Sequence, residues 1–245
     1  MAATIDTLGK KRVLMIVSNP AVSEQTGWPI GFWAAELAHP YWEFVEHGYD
    51  VDVASLEGGK LEVDSWSNPT DDSGYSDYDI VSQGFLTLPK TKALIEESKK
   101  LSDVDPDDYD AILLVGGQGP MVTFYQNPEL ETFLASFYEA GKVTGVICHA
   151  TCVLLHTRLS NGELLVKGKT WTGFADSEEQ FADNFVGQKI QPFWIEEEAK
   201  KLEGTNFIVD SMFKPHAVRD GNLITGQQQY SGTAAARLMI EALGQ

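Results

Sequence analysis

The chain has 245 residues, 43% of them apolar, which is enough to fill one large hydrophobic core, so a single domain is expected across 1–245. A formal charge of −18 with no offsetting basic run opposes attachment to nucleic acid or to an anionic membrane surface. No stretch of about 18 apolar residues is available to cross a bilayer, and the opening MAATIDTLGKKR lacks the hydrophobic segment of a secretory signal, which predicts a soluble cytoplasmic protein.

KRVLMIVSN, from Lys11 to Asn19, reads as a basic edge leading into a continuously buried strand, the pattern of a parallel sheet. Trp33 to Val45 follows as a helix, with Pro40 placed near a first turn or marking a break. In this helix Glu36 sits among apolar and aromatic neighbours, GFWAAELAHPY. It is either a surface carboxylate or a partly buried acid whose raised proton affinity suits it to acid/base work. Tyr49 to Ala54 is the next strand, closed by the Gly58-Gly59 turn.

From Asp64 to Asp110 the periodicity weakens, apart from a possible helix around Thr91 to Lys99. A structureless connection of this length is unusual in a compact domain, so a flap or short helical excursion beside a cleft is expected. AILLVGG, from Ala111 to Gly117, returns the chain to the core, and its glycines allow close backbone approach and exposed amide donors. GGQGP is not the GxGxxG of a dinucleotide site. Leu130 to Ala140 is a helix; Asn206 to Val209 and Leu223 to Thr225 are strands; Thr233 to Leu243 is a terminal helix.

Between these elements lies the most informative stretch, VTGVICHATCVLL, from Val143 to Leu155. A buried strand ends at Ile147, Cys148 falls at the break, and His149 to His156 has helix-compatible spacing. A thiol there lies near the free amides of a first helical turn, which favour thiolate, and His149 can hold or relay its proton. The geometry resembles a nucleophile elbow without the glycine two residues on. Glu178-Glu179, after TWTGFADS, is either a pair of solvated charges or brings a carboxylate behind His149, in which case Glu179 would fix the imidazole as the third member of a triad.

Cys148 and Cys152 are the two cysteines; their spacing is neither CxxC nor a zinc set, and Cys152 reads as a small packing group rather than a resolving thiol. His39, His47, His156 and His216 fit no familiar metal motif. Trp33, Trp171 and Trp194 read as packing groups, and Trp28 as a packing group or a wall of the cleft.

In order, GWPIGFWAAELAHPY, AILLVGGQGP, VTGVICHATCVLL and GKTWTGFADSEE resemble the DJ-1/PfpI superfamily, and within it the Hsp31-like glutathione-independent glyoxalases. The resemblance covers nearly the whole chain. It implies an α/β, flavodoxin-like three-layer sandwich with a mostly parallel central sheet and helices on both faces. By the same pattern Cys148 is the nucleophile, His149 its neighbour, Glu36 the acid near the thiol and Glu179 the acidic triad member. Gly117 contributes a backbone oxyanion donor with the His149 amide, while Gln118 replaces the frequent histidine of GGHG, and ATC replaces the usual small residues after Cys-His.

The implied activity is that of a glyoxalase III-type lyase, or D-lactate dehydratase. It converts methylglyoxal or another small 2-oxoaldehyde to lactate or the matching 2-hydroxy acid through a cysteine hemithioacetal, without glutathione, metal or nicotinamide. A homodimer is implied as well. Two other classes stay open: a stress-responsive holdase, deglycase or redox sensor, and a cysteine hydrolase or amidotransferase-like enzyme.

Overall fold

The structure is a computed structural model that describes residues 10–244. Residues 1–9, from which the absence of a leader was read, lie outside the described residues. Strand β1 (Arg12–Ile16) is buried from Val13 onward because it has a parallel neighbour on each side. A short antiparallel pair, β2 (Ala21–Val22) and β3 (Pro29–Ile30), leads into helix α1 (Ala34–Glu46) and strand β4 (Asp50–Ser55). Pro40 lies in the middle of α1 and neither starts nor breaks it. Its ring is buried and lies so close to Gly232 that a Cβ there would meet it at 3.0 Å, so packing offsets the one helical hydrogen bond that proline omits.

The region after Asp64 is ordered. Asp79 caps α2 (Ile80–Thr87) by accepting from the Ser82 amide, and α3 (Pro89–Glu96) opens on a proline, whose missing N–H is harmless in a first turn. The helix expected up to Lys99 therefore stops at Glu96, because Lys99–Lys100 forms β5 on the sheet edge beside β4. Helix α2 was not expected, since QGFL offers little amphipathic contrast.

The chain then re-enters the centre. Strand β6 (Ala111–Leu114), short α4 (Pro120–Thr123), α5 (Pro128–Glu139, capped by Asn127) and β7 (Val143–Ile147) follow. A separate small parallel pair is made by β8 (Thr170–Trp171) and β9 (Asn206–Phe207), with α6 (Asp176–Val186) and α7 (Ile195–Ala199) between them. The strand expected at Asn206 thus belongs to this satellite rather than to the main sheet. Strands β10 (Ala217–Asp220) and β11 (Leu223–Gly226) form a hairpin, and α8 (Gly232–Ala242) ends the fold by packing on α1, β7 and β11.

The main sheet has the order β10-β11-β7-β6-β1-β4-β5, parallel throughout except for β10. With helices on both faces it is the mostly parallel α/β sandwich expected. From β1 the chain first builds outward through β4 and β5, then crosses back to place β6 on the other side of β1. Such a reversal opens a crevice at the carboxyl ends of the strands, where α/β sheets bind ligands. The segments that follow β6 and β7 carry Gly116-Gly117 and Cys148, and both emerge at that crevice. No helix of the described residues is long and apolar enough to cross a membrane.

Candidate active site

Ile147 is the last extended residue of β7, and Cys148 turns abruptly with φ +57°, a left-handed value that costs a side-chain-bearing residue on the order of 1–3 kcal/mol. The turn swings the sulfur off the strand axis into the crevice. Thr151 Oγ1 donates to the Cys148 carbonyl at 2.6 Å and helps hold the turn. Cys148–Leu155 continues as a 3₁₀ helix in which every residue is buried, so apolar spacing gave no guide to its pitch.

Glu36 projects from the first turn of α1 and is fully buried. Its Oε2 accepts the Gly116 N–H at 3.0 Å, while Oε1 has no well-formed hydrogen bond. Burial raises the carboxyl from 4.5 to about 7, against the pull of the Cys148 side chain, the His149 charge and the Gly116 amide. Burial also raises the Cys148 thiol well above its ordinary value, and Glu36 adds to the rise by charge and hydrogen bonding. The backbone amides of His149 and Gly117 pull the other way and lose. The amide effect expected to favour thiolate is present but outweighed: desolvation and the neighbouring carboxyl push the thiol up.

His149 completes a Cys–His–Glu relay. Its Nδ1 lies 3.5 Å from Cys148 Sγ and its Nε2 lies 2.9 Å from Glu179 Oε1, with all three groups buried. Burial lowers the imidazole, but the charge and hydrogen bond of Glu179 outweigh it and raise the ring above its ordinary value. Phe174 stacks on the ring at 4.1 Å between centroids and fixes its plane. Glu178, the other member of the acidic pair, also borders the pocket but does not bond His149. It accepts from the Phe213 amide at 2.8 Å and the Gln227 side chain at 3.0 Å, tying the loop before β10 to α6.

The two glycines after β6 are demanded by space. A Cβ on Gly116 would sit 2.4 Å from Glu36 Oε2, and one on Gly117, at φ +110°, would sit 2.4 Å from the Trp33 amide nitrogen. Asp64 holds this loop from the far side, accepting from the Gly31 amide at 2.9 Å and the Gln118 amide at 2.6 Å. Burial raises its carboxyl from 3.8 to about 6, against those two amides and the His149 charge. Sequence reasoning used Asp64 only as the start of the weakly periodic region, where nothing marks one aspartate among many polar residues as buried.

Above the sulfur is a pocket of about 650 Å³, measured to its open mouth, lined by Gly117, Gln118, Cys148, His149 and Glu179 together with aromatic side chains. Trp28 lies one layer outside it, with its ring 6.0 Å from Trp66, in a neighbouring depression that Gln118 also borders. Trp33, read as a packing group, lines the pocket itself, as do Trp66 and Phe185, which the sequence reading did not single out. Cys152 is buried against the Pro120 carbonyl at 3.5 Å, and burial lifts its thiol, consistent with a packing role. Among the described residues no cluster of three His, Cys, Asp or Glu side chains is arranged to hold a metal ion.

A family model described as the DJ-1/PfpI family matches residues 30–242. The chain is 27% identical over 234 residues to "Glyoxalase 3" of Candida albicans, covering 95% of this chain and 98% of that protein. It is 25% identical over 245 residues to "Protein/nucleic acid deglycase HchA" of Staphylococcus aureus, covering 96% of this chain and 80% of the relative. Among solved structures, the Francisella tularensis Rapid Encystment Protein 24 KDa superposes with a TM-score of 0.84 at 27% identity, covering 96% of this chain and 100% of the other.

Proposed function

The chain belongs to the DJ-1/PfpI family, close to its Hsp31/glyoxalase III branch, and from that premise we propose that it converts methylglyoxal or a related small 2-oxoaldehyde to lactate or the matching 2-hydroxy acid without glutathione. The observation that carries this reading is the buried carboxyl of Glu36 beside the Cys148 thiol, with its proton affinity raised to about 7. A carboxyl so poised can both take and return a proton at neutral pH.

The thiol attacks the aldehyde carbon, forming the S–C bond as its proton passes to Glu36. The aldehyde oxygen, held by the Gly117 and His149 amides that now face the sulfur, takes that proton to complete the hemithioacetal. Glu36, again a carboxylate, removes the hydrogen of the same carbon; the resulting enediol is reprotonated at the adjacent carbon and leaves a 2-hydroxy thioester. One carbon is oxidised as its neighbour is reduced, so the step needs no external electron acceptor. Water, deprotonated by His149 with Glu179 stabilising the imidazolium, then releases the acid and restores the thiol.

Incubation with methylglyoxal alone, with lactate as the readout, tests the assignment. Wild-type protein should form lactate, Cys148→Ala none, and Glu36→Gln a small fraction. Absence of lactate or any other 2-hydroxy acid above background across several 2-oxoaldehydes sinks the reading.

A second reading, deglycation of protein-bound adducts, is favoured by the open mouth of the pocket beside exposed Phe185 and uses the same attack by sulfur. Release of adducts in the presence of an excess scavenger of free aldehyde separates it from simple detoxification. A homodimer and a cytoplasmic location form part of the proposal.

A further inference from the structure

Six aromatic side chains form an unbroken belt around the pocket. Trp33 meets Tyr75 edge-on at 6.0 Å, Tyr75 stacks on Trp66 at 6.0 Å, and Trp66 meets Phe185 edge-on at 5.6 Å. Phe185 stacks with Phe181 at 6.4 Å, and Phe181 meets Phe213 edge-on at 5.2 Å. All six line the pocket that holds Cys148. They come from four separate parts of the chain: the residue before α1, the region before α2, helix α6 and the loop before β10.

The belt reaches solvent. Phe185 is 67% exposed and Phe181 41% exposed, both on a helix whose first turn carries Asp176, Glu178 and Glu179. Core packing does not account for apolar rings left open to water at the rim of a reactive site, and a ligand that covers them gains by their desolvation. The substrate's charge is constrained as well. No Lys or Arg lines the pocket, whereas Glu178 and Glu179 do, and buried Glu36 and Asp64 lie behind its floor. An anionic tail would meet two carboxylates and no Lys or Arg side chain there.

Resting on the 2-oxoaldehyde reading, we infer that the pocket selects neutral 2-oxoaldehydes bearing an aromatic ring on the ketone carbon in preference to methylglyoxal. With the aldehyde carbon at Cys148, the methyl group of methylglyoxal presents too little surface to reach the outer rings, whereas a phenyl group extends into the belt and meets their faces and edges. The chemistry is unchanged: the aldehyde carbon is oxidised to the carboxylate, the ketone carbon is reduced to the alcohol, and water supplies the added oxygen.

The test measures kcat/KM for phenylglyoxal, methylglyoxal and 4-carboxyphenylglyoxal by chromatographic detection of the 2-hydroxy acids, with Cys148→Ala as background. Phenylglyoxal should exceed methylglyoxal by at least about tenfold, and the carboxylated analogue should fall about tenfold or more below phenylglyoxal. Phe185→Ala, at an exposed helical position, should cut the phenylglyoxal-to-methylglyoxal ratio by about fivefold or more; a ratio set by intrinsic aldehyde reactivity would not move. Turnover of methylglyoxal with a ratio at or below one, or a ratio indifferent to Phe185→Ala, overturns the inference and leaves the proposed function standing. Turnover of none of the three overturns both.

Discussion

Glu36 and Cys148 are buried side by side across Gly116, one on the first turn of α1 and the other just past the end of β7. Burial raises the proton affinity of both, and Glu36 raises that of Cys148 further, whereas the Cys148 side chain pulls Glu36 the other way. In the proposed reaction this favours a nucleophile held as a thiol, with Glu36 beside it as the base. By that proposal the sulfur ionises as it attacks.

This arrangement predicts opposite effects of Glu36→Gln on two rates. Removing the carboxylate charge lowers the Cys148 pKa, so alkylation by iodoacetamide near pH 7 should rise by roughly threefold or more. Turnover of methylglyoxal should fall by roughly a hundredfold, because the proton-transfer group is gone. Slower alkylation in the variant would show that the carboxyl supports the thiolate rather than opposing it.

Stability should depend on pH through the same group. The Glu36 carboxyl rises from 4.5 to about 7 on folding, so the native state binds its proton more tightly than the unfolded chain does. Stability is then fully present below 4.5 and declines as pH climbs toward 7, by on the order of 3 kcal/mol for a group this deeply buried. Asp64, raised to about 6, adds a slope of the same sign. Urea unfolding at pH 5 and pH 8 should therefore show Glu36→Gln gaining on wild type by about 2–3 kcal/mol at the higher pH. Equal slopes for the two proteins would mean that Glu36 is ionised throughout.

The relay behind the nucleophile gives a third expectation. Glu179 raises the His149 imidazole against its burial, so Glu179→Gln should lower the ring's pKa in an NMR titration. It should also cost roughly 10²–10⁴-fold in kcat, the scale seen when a triad loses its orienting carboxylate. Retention of both the imidazole pKa and kcat would reduce Glu179 to a packing residue.

The parts of this site that could be read from sequence are those where an apolar background isolates a reactive group. Cys148 and His149 follow a strand ending in Val146-Ile147, and Glu36 interrupts a largely apolar and aromatic helix, so each stands out against what surrounds it. The central strands β1, β6 and β7 were legible for the same reason. Asp64, Trp66 and Tyr75 lie instead in a polar region whose order comes from turns and long-range contacts, such as the Asp64 N–H donating to the Phe32 carbonyl at 2.8 Å. Strand β10, with the pattern AVRD and no buried face, carries too little alternation to announce itself. The upward push on the thiol was not legible because a local rule about helix starts says nothing about a carboxyl brought in from residues far earlier in the chain.

Backbone space at the floor of the pocket supports a last prediction, comparing two adjacent glycines. In Gly117→Ala the new Cβ would meet the Trp33 amide nitrogen at 2.4 Å and the Phe32 carbonyl carbon at 2.7 Å, on a residue whose φ of +110° already excludes side chains. Backbone cannot step aside cheaply, so a loss of roughly 2–4 kcal/mol is expected, read as a fall in Tm, along with displacement of the amide that faces the sulfur. In Gly116→Ala the nearest atom is Glu36 Oε2 at 2.4 Å, a side-chain end that can rotate, although the Ile147 carbonyl oxygen at 2.7 Å also crowds the site. Displacing that carboxyl from Cys148 should lower kcat by roughly a hundredfold with a smaller fall in Tm than in Gly117→Ala. Wild-type turnover in Gly116→Ala would mean that the carboxyl need not touch the thiol for catalysis.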